Sequence, residues 1–158
     1  MGTAPKASSE SVRTRMKQVK RRDTGPETAL RSLLHRAGHR FRVDCSPVVG
    51  IRSRADIVFR GANVAVFVDG CFWHGCPQHS TWPKSNAAYW REKIESNRRR
   101  DAETTACLRR LGWRVVRVWE HETAEKAAAR VQAALQTTKQ GRPLKRDDVA
   151  RTRPRPHP

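Results

Sequence analysis

The sequence predicts an α/β domain in which strands and helices follow one another along the chain. Two short apolar runs, residues 55–59 and 64–68, are typical of buried strands. Segments with apolar residues at helical spacing precede and follow these runs. A length of 158 residues suits one domain with a single core. We therefore expect a sheet that is flanked by helices.

The first helix is predicted after the sequence Thr24-Gly25-Pro26-Glu27, which has the form of a capping box. In this motif Thr24 caps the helix and Glu27 returns a hydrogen bond, while Pro26 suits the first turn. Leucines at helical spacing follow, and Gly38 ends the helix. From these residues alone, Glu27 is better interpreted as a cap than as a catalytic group.

Residues 40–43 are a short strand candidate, and residues 55–59 and 64–68 form a probable hairpin around the turn 61–63. Asp56 lies at the start of one hairpin strand and Asp69 follows the end of the other, so the two carboxylates are predicted neighbours. Two adjacent carboxylates repel each other unless a cation lies between them, which indicates a Mg²⁺ site. The alternative is that each aspartate caps a turn.

In the second half of the chain, Asn86 is predicted to cap a long helix that ends near Leu111, with Gly112 after it. Asn97 and Asp101 interrupt the apolar face of this helix, which suggests a site nearby. Residues 113–119 alternate as a strand does, with its tryptophans expected in the core, and residues 124–135 have the spacing of a final amphipathic helix.

The charge pattern divides the chain into three parts: a basic arm at 1–22, a domain at 23–138 and a basic, proline-rich tail at 139–158. We expect the arm to be partly disordered, with residues 12–22 forming either a basic helix or an unstructured basic segment, and the tail to be disordered. A net charge of +18 with five tryptophans favours nucleic acid as the partner, although solvated charge or binding to anionic lipid would also fit. No apolar stretch resembles a signal peptide or membrane span, so we expect a cytoplasmic protein with reduced thiols.

A cluster of potential metal ligands follows the second hairpin strand. Cys71, Cys76 and His79 lie close together in a loop, as structural zinc ligands do, although the spacing is not that of a standard finger. His121, after the last strand, is the best candidate for the fourth ligand if that strand lies beside residues 64–68. Cys45, in a predicted loop, and Cys107, which we expect to be a buried thiol, are the other candidates. His74 is left over, and an imidazole beside a Mg²⁺ site suits general acid or base catalysis.

Five segments of the sequence together resemble the very short patch repair endonucleases, the Vsr family, which cut one DNA strand beside a T:G mismatch. These segments are RRDTGPE, ADIVF, VFVDGCFWHGCPQH, YWREKIESNRRRD and LGWRVVRVWEHE. The resemblance covers residues 12–122 and implies a restriction-endonuclease-like fold, with a mixed sheet flanked by helices and a structural zinc site.

The resemblance also implies roles for individual residues. Asp56 would bind the catalytic Mg²⁺, His74 would be the catalytic histidine, and Glu27 would lie near the active site while still capping its helix. The residues implied to contact DNA are Met16, Phe72, Trp73, Trp90, Lys93 and Asn97. Of these, the three aromatic residues would form a rigid, exposed wedge beside the mismatch, and Met16 would insert from the minor groove.

The chain departs from the family pattern at two places. Val68-Asp69 replaces Thr-His, so Val68 can offer a metal only its carbonyl, and Asp69 becomes a candidate ligand or acid-base group. Cys76, His79 and His121 exchange sulfur and nitrogen ligands relative to other members, but the set still holds two of each.

The resemblance therefore predicts a Mg²⁺-dependent endonuclease that nicks one strand of double-stranded DNA beside a T:G mismatch. We expect a monomer in the bacterial cytoplasm, associated with the nucleoid, with repair proteins as further candidate partners. Two alternatives are a zinc-stabilised DNA-binding module without cleavage and a restriction endonuclease that acts on matched duplex. The first alternative would have no need for Asp56 and His74.

Overall fold

The computed structural model describes residues 23–79 and 84–140, and these form a mixed α/β fold as predicted. The described residues contain a four-stranded sheet and three helices. In chain order the elements are α1 (Gly25–Arg36), β1 (Arg42–Cys45), β2 (Ala55–Phe59), β3 (Val64–Asp69), α2 (Ala87–Arg110), β4 (Arg114–Trp119) and α3 (Ala124–Gln140). The basic arm with Met16, and the tail from residue 141 onward, lie outside the described residues.

The sheet has the order β1-β2-β3-β4 and contains both strand directions. The first two pairs are antiparallel, whereas β3 and β4 are parallel and are connected through α2. The carboxyl ends of two parallel strands lie at the same edge of a sheet, and here Asp69 is in register with Trp119. The residues that follow β3 therefore meet the residues that follow β4.

Hydrophobic residues bury both faces of the sheet. On one face α1 and α3 pack against the strands, with Leu34 and Val131 fully buried. On the other face Leu108 of α2 packs with Val58, Ala65 and Phe67. Burying an aliphatic side chain of this kind stabilises a fold by about 1.5–3 kcal/mol. Because both faces are covered, β2 and β3 are almost entirely apolar rather than alternating, and their only charged residues are Asp56 and Asp69.

The predicted helix starts have the right positions, but their side-chain hydrogen bonds differ. Glu27 accepts a hydrogen bond from the backbone N–H of Asp23 at 2.9 Å, and the Thr24 hydroxyl donates to Glu27 at 3.0 Å instead of accepting from the helix. Asn86 occupies the N-cap position of α2 with φ 57°, and its side chain makes no capping bond. The prediction that Thr24 and Asn86 cap through their side chains is therefore wrong.

Four predictions about cysteine and tryptophan side chains also need correction. Cys45 is the last residue of β1 and not part of a loop, and Cys107 is half-buried and not fully buried. Trp113 is half-buried at the edge of the core cluster around Leu108. Trp119 is half-buried too, and its ring stacks on that of His121 with centroids 6.3 Å apart.

In the described part of the chain, no helix has the length and apolarity needed to cross a membrane.

Candidate active site and metal centre

An open cleft of about 500 Å³ lies beside the carboxyl end of β3. It is lined by side chains from the two hairpin strands, from α1, α2 and β4, and from the loops before β2 and after β3. All four residues predicted to be catalytic are in its lining, which consists of Glu27, Arg52, Ser53, Arg54, Asp56, Phe67, Val68, Asp69, His74, Arg100, Asp101, Thr104 and Arg117.

Asp56 is a half-buried carboxylate near the start of β2. Its Oδ2 accepts a hydrogen bond from the backbone N–H of Val68 at 2.7 Å, which ties it to the neighbouring strand. Burial raises the pKa of Asp56 to about 6, and the negative charges of Glu27 and Asp69 act in the same direction. A cation bound at this carboxylate would reverse the shift, because positive charge favours the ionised form.

A second set of charged side chains links β3, β4, α2 and the loop after β3. Arg117 forms a two-point ion pair with Asp69, at 2.7 Å from Nε to Oδ2 and 2.6 Å from Nη2 to Oδ1. The same Nη2 lies 3.0 Å from Oδ1 of Asp101, whose Oδ2 lies 2.5 Å from Nδ1 of His74. The imidazole predicted to be catalytic is thus held by a carboxylate on α2.

The environment of His74 perturbs its titration. Burial by itself lowers the pKa of His74, but the hydrogen bond that its Nδ1–H donates to Asp101 and the negative charge of Asp69 outweigh burial, so the pKa is raised above its ordinary value. Burial also opposes ionisation of Asp101, yet His74 and Arg117 together lower the pKa of that carboxyl. Both shifts favour an imidazolium-carboxylate pair in the metal-free protein.

Of the two carboxylates predicted to bind a cation, Asp56 is available as a ligand, whereas Asp69 already has a charged partner. The side chain of Asp69 is only 7% exposed, and both of its oxygens accept hydrogen bonds from Arg117. Its charge is therefore already balanced by an arginine.

Glu27 combines the two roles that the sequence suggested for it. It is buried, it accepts hydrogen bonds from Thr24 and from the backbone of Asp23, and it forms an ion pair with Arg31 at 2.9 Å. It also lines the cleft next to Asp56. Its carboxylate is held by these partners, so Glu27 contributes negative charge to the cleft from a fixed position.

The four predicted zinc ligands come together at the edge where β3 and β4 end. Sγ of Cys71 lies 3.1 Å from Nδ1 of His121, and Sγ of Cys76 lies 3.7 Å and 3.8 Å from Nδ1 of His121 and His79. All four ligand atoms lie within 4.8 Å of one another. The edges of a zinc tetrahedron with such ligands measure about 3.3–3.8 Å. The two distances from Cys76 fall in this range and the distance from Cys71 to His121 is shorter, so the group is a candidate site for this ion. Cys45 and Cys107 are not members of this group.

Cys71 is a protonated thiol when no metal is bound. Burial and the neighbouring Cys76 raise the pKa of Cys71 to about 11, so the metal-free thiol resists ionisation. A bound cation reverses this and stabilises the thiolate. Glu120, the residue before His121, accepts the backbone N–H of Cys71 at 2.6 Å and fixes the start of the loop.

The three aromatic residues predicted to contact DNA form one cluster. The rings of Phe72, Trp73 and Trp90 touch pairwise, with centroids 5.1, 5.3 and 5.9 Å apart. The prediction that these rings are exposed is only partly right. Each ring is half-buried, because the rings cover one another. Asn97 donates a hydrogen bond to the carbonyl of Trp73 at 2.9 Å, and Lys93 is exposed on the same helix. These five residues thus belong to α2 and to the loop that it supports.

Gly75 explains how that loop approaches α2. Its φ is +61°, and a Cβ at this position would lie 2.8 Å from the Ile94 side chain. Only glycine accommodates both the backbone conformation and the contact.

Sequence reasoning missed two residues of the site. The alternation of residues 113–119 predicts only a strand position for Arg117, and no motif indicates Glu120. The signal for Arg117 is a charged residue in a strand that the parallel connection places beside β3. The sequence indicates Asp101 as a polar interruption of α2 and His74 as a catalytic candidate, but it does not indicate that the two are paired.

The profile of the family described as DNA mismatch endonuclease Vsr matches residues 6–80. The type II nicking enzyme V.NaeI of Lentzea aerocolonigenes is 44% identical over 143 residues, which cover 89% of this chain and 86% of that protein. V.XorIIP of Xanthomonas oryzae pv. oryzae, also named a type II nicking enzyme, is 45% identical over 77% of this chain and 88% of its own. The DNA mismatch endonuclease Vsr of Escherichia coli K12 is 38% identical over 66% of each chain.

Proposed function

Since the chain belongs to the Vsr family and is an endodeoxyribonuclease, we propose that it nicks one DNA strand beside a T:G mismatch with the help of Mg²⁺. One observation carries the proposal. Four acidic side chains line the cleft, and among the described residues three of them are ion-paired: Glu27, Asp69 and Asp101. Asp56 makes no ion pair with any described residue and has a raised pKa, so it is the carboxylate that is ready for a cation.

A divalent cation at Asp56 would act as a Lewis acid toward the scissile phosphate and lower the pKa of water. The carbonyl of Val68, whose N–H already holds Asp56, is a second candidate ligand. Because Asp101 engages Nδ1 of His74, the ring nitrogen left for proton transfer is Nε2. The raised pKa of His74 favours the protonated ring in the metal-free protein, which suits protonation of the leaving oxygen, whereas nearby positive charge would favour a neutral ring that activates water.

The aromatic cluster supports the choice of a mismatch as the target. Inserting a side chain into DNA costs a few kcal/mol of unstacking, and this cost is smallest at a mismatched pair. A cluster whose backbone is fixed by a metal loop and by Asn97 loses little conformational entropy when it binds. We propose that the cluster wedges into DNA, that Lys93 and Asn97 lie on the same contact surface, and that the basic segments at 1–22 and 139–158 add sequence-independent affinity for phosphate.

A single comparison separates this function from its alternatives. The full-length protein is incubated with Mg²⁺ and with end-labelled duplexes that differ only by one T:G pair in place of T:A. Nicking of one strand of the T:G duplex alone supports the proposal. Cleavage of both duplexes indicates a restriction endonuclease, and binding without cleavage indicates a DNA-binding module.

The zinc centre leads to a prediction about stability. We propose that one Zn²⁺ per chain is held by Cys71, Cys76, His79 and His121, and Cys71→Ser should then lower the melting temperature by about 10 °C or more, since metal binding contributes to folding. Calorimetry and elemental analysis of the purified protein measure both quantities. Cys107→Ser is the matched control, because this cysteine is half-buried outside the cluster, and it should retain the metal. Protein without zinc, or equal melting of both variants, would refute the ligand set.

The wedge leads to a prediction about affinity. Trp73→Ala should weaken binding to the T:G duplex by about 10- to 100-fold, because stacking on a base contributes roughly 1–3 kcal/mol per aromatic side chain. Fluorescence anisotropy without Mg²⁺ measures binding separately from cleavage. Trp113→Ala is the comparison variant, since Trp113 packs at the edge of the core, and it should lower the melting temperature and leave affinity unchanged. If Trp73→Ala instead lowers the melting temperature and leaves affinity unchanged, Trp73 is a core residue.

A further inference from the structure

We propose that Arg117 is a positioning residue for the nicking reaction. It holds Asp101 so that this carboxylate fixes the orientation and tautomer of His74. The inference rests on the proposed function, in which His74 transfers a proton in the cleft. It assigns a role to a residue of β4 that neither the sequence motifs nor the family resemblance singled out.

The contacts form a continuous chain from Asp69 to the imidazole. Arg117 binds both oxygens of Asp69, and its Nη2 also lies 3.0 Å from Oδ1 of Asp101. The other oxygen of Asp101 lies 2.5 Å from Nδ1 of His74. Each oxygen of Asp101 is thus bonded, one to Arg117 and the other to His74, and rotation of the carboxylate would break both bonds. A carboxylate fixed in this way also fixes the ring to which it is bonded.

The charges explain why a cation is needed at this position. One atom each of Asp69, His74 and Asp101 lies within 4.8 Å of the others, an arrangement that resembles a metal site. The guanidinium of Arg117 is bonded to both carboxylates of this group, so it supplies the positive charge that a second ion would otherwise bring. Without it, two carboxylates this close would repel each other, and Asp101 would lose its fixed orientation toward His74.

The shape of the arginine side chain matters as much as its charge. The guanidinium lies over the ring of Phe67, 4.8 Å from the centroid, and is held in its plane by the two-point pair with Asp69. Two sides of the planar group are therefore fixed, and Nη2 is directed at Asp101. A lysine carries the same charge but has neither the plane nor the fork of donors. Arg117→Lys should thus retain charge balance and lose the orientation of Asp101.

The test is a double-mutant cycle between Arg117→Lys and Asp101→Asn. Single-turnover nicking of the T:G duplex with Mg²⁺ should slow by about 10- to 100-fold in Arg117→Lys, the range seen when an outer hydrogen-bond partner of a histidine is lost. Affinity for the same duplex without Mg²⁺ should not change. If Arg117 acts through Asp101, the double variant should nick as slowly as Asp101→Asn alone, within about twofold, the usual error of additivity.

A spectroscopic measurement gives a readout that does not depend on activity. The Nδ1–H proton of His74, in its short bond to Asp101, should give a strongly downfield proton resonance, assigned by its loss in His74→Ala. That resonance should also be lost or shifted upfield in Arg117→Lys. Arg114→Lys is the matched control, because Arg114 lies in the same strand and hydrogen-bonds the carbonyl of Ala134 in α3. Arg114→Lys should nick at the wild-type rate and retain the downfield resonance of His74.

Distinct outcomes overturn the inference and the proposed function. If Arg117→Lys nicks at the wild-type rate, Arg117 does not act through Asp101. The same conclusion follows if the rate losses of Arg117→Lys and Asp101→Asn multiply in the double variant. The multiplied effect would indicate direct contact with the DNA phosphate instead. If Arg117→Lys does not fold, Asp69→Asn combined with Arg117→Gln replaces the ion pair with neutral amides and should show the same losses. A wild-type protein that fails to nick T:G duplex would refute the proposed function, and the resonance would still test the network.

Discussion

Asp56→Asn is expected to reduce the rate of nicking by about 1,000-fold or more and to leave affinity for the T:G duplex unchanged. The asparagine keeps the shape of the side chain and an oxygen that can accept the N–H of Val68, but it removes the charge that would hold Mg²⁺. A catalytic metal contributes several kcal/mol of transition-state stabilisation, and each 1.4 kcal/mol corresponds to about tenfold in rate. Single-turnover nicking above pH 7, where a carboxyl with a pKa of about 6 is ionised, measures the effect.

Glu125→Gln provides a matched control for the change in charge. Glu125 is exposed in the first turn of α3 and does not line the cleft. This control removes one carboxylate away from the site, so it should fold and nick as wild type. A rate for Asp56→Asn within about tenfold of wild type would be too small a loss for a metal ligand and would contradict the assignment.

The parts of the fold that depend on local patterns were predictable from the sequence. The bounds of β2 matched the prediction and those of β3 differed by one residue, because each apolar run is bordered by charged or turn-forming residues. The side-chain hydrogen bonds of the helix caps were less predictable than the positions of the helix starts. Glu27 is drawn to Arg31 and to the N–H of Asp23, and Asn86 enters α2 in the left-handed conformation.

In the site, too, residues close together in the sequence were easier to predict than residues brought together by the fold. Cys71, Cys76 and His79 lie within one loop, so their clustering could be seen in the sequence. His121 could join them only if β4 lay beside β3, and the parallel register of these strands brings it there. The signal for Arg117 was weaker, because an arginine in an alternating strand is normally expected to face solvent. Its role depends on α2, which covers that face and contributes Asp101.

The charge balance of the cleft also could not be read from sequence. Two acidic side chains that the sequence put forward for catalysis, Glu27 and Asp69, are matched with arginines from their own or adjacent elements. Buried carboxylates require such partners, because an unpaired buried charge costs several kcal/mol. The pairings leave Asp56 as the acidic group on which an added cation would have the largest effect.

His74→Ala is expected to slow nicking by about 100- to 10,000-fold, the usual range for the loss of a general acid or base. The ring lies in the cleft, its Nδ1 is held by Asp101, and Nε2 is the nitrogen left for proton transfer. Affinity for the T:G duplex without Mg²⁺ should be unchanged. His35→Ala is the control, since this histidine is exposed at the end of α1 and contacts Arg40 outside the cleft, and it should retain full activity.

A modified substrate distinguishes the two chemical roles of the imidazole. When the leaving oxygen is replaced by sulfur, the leaving group departs without a proton, so a variant that lacks only the general acid regains most of its rate. If His74 protonates the leaving oxygen, as its raised pKa favours, His74→Ala should approach wild type on this substrate. If His74 activates water, the defect should persist with sulfur as with oxygen. Nicking of the natural substrate by His74→Ala at the wild-type rate would remove His74 from the mechanism altogether.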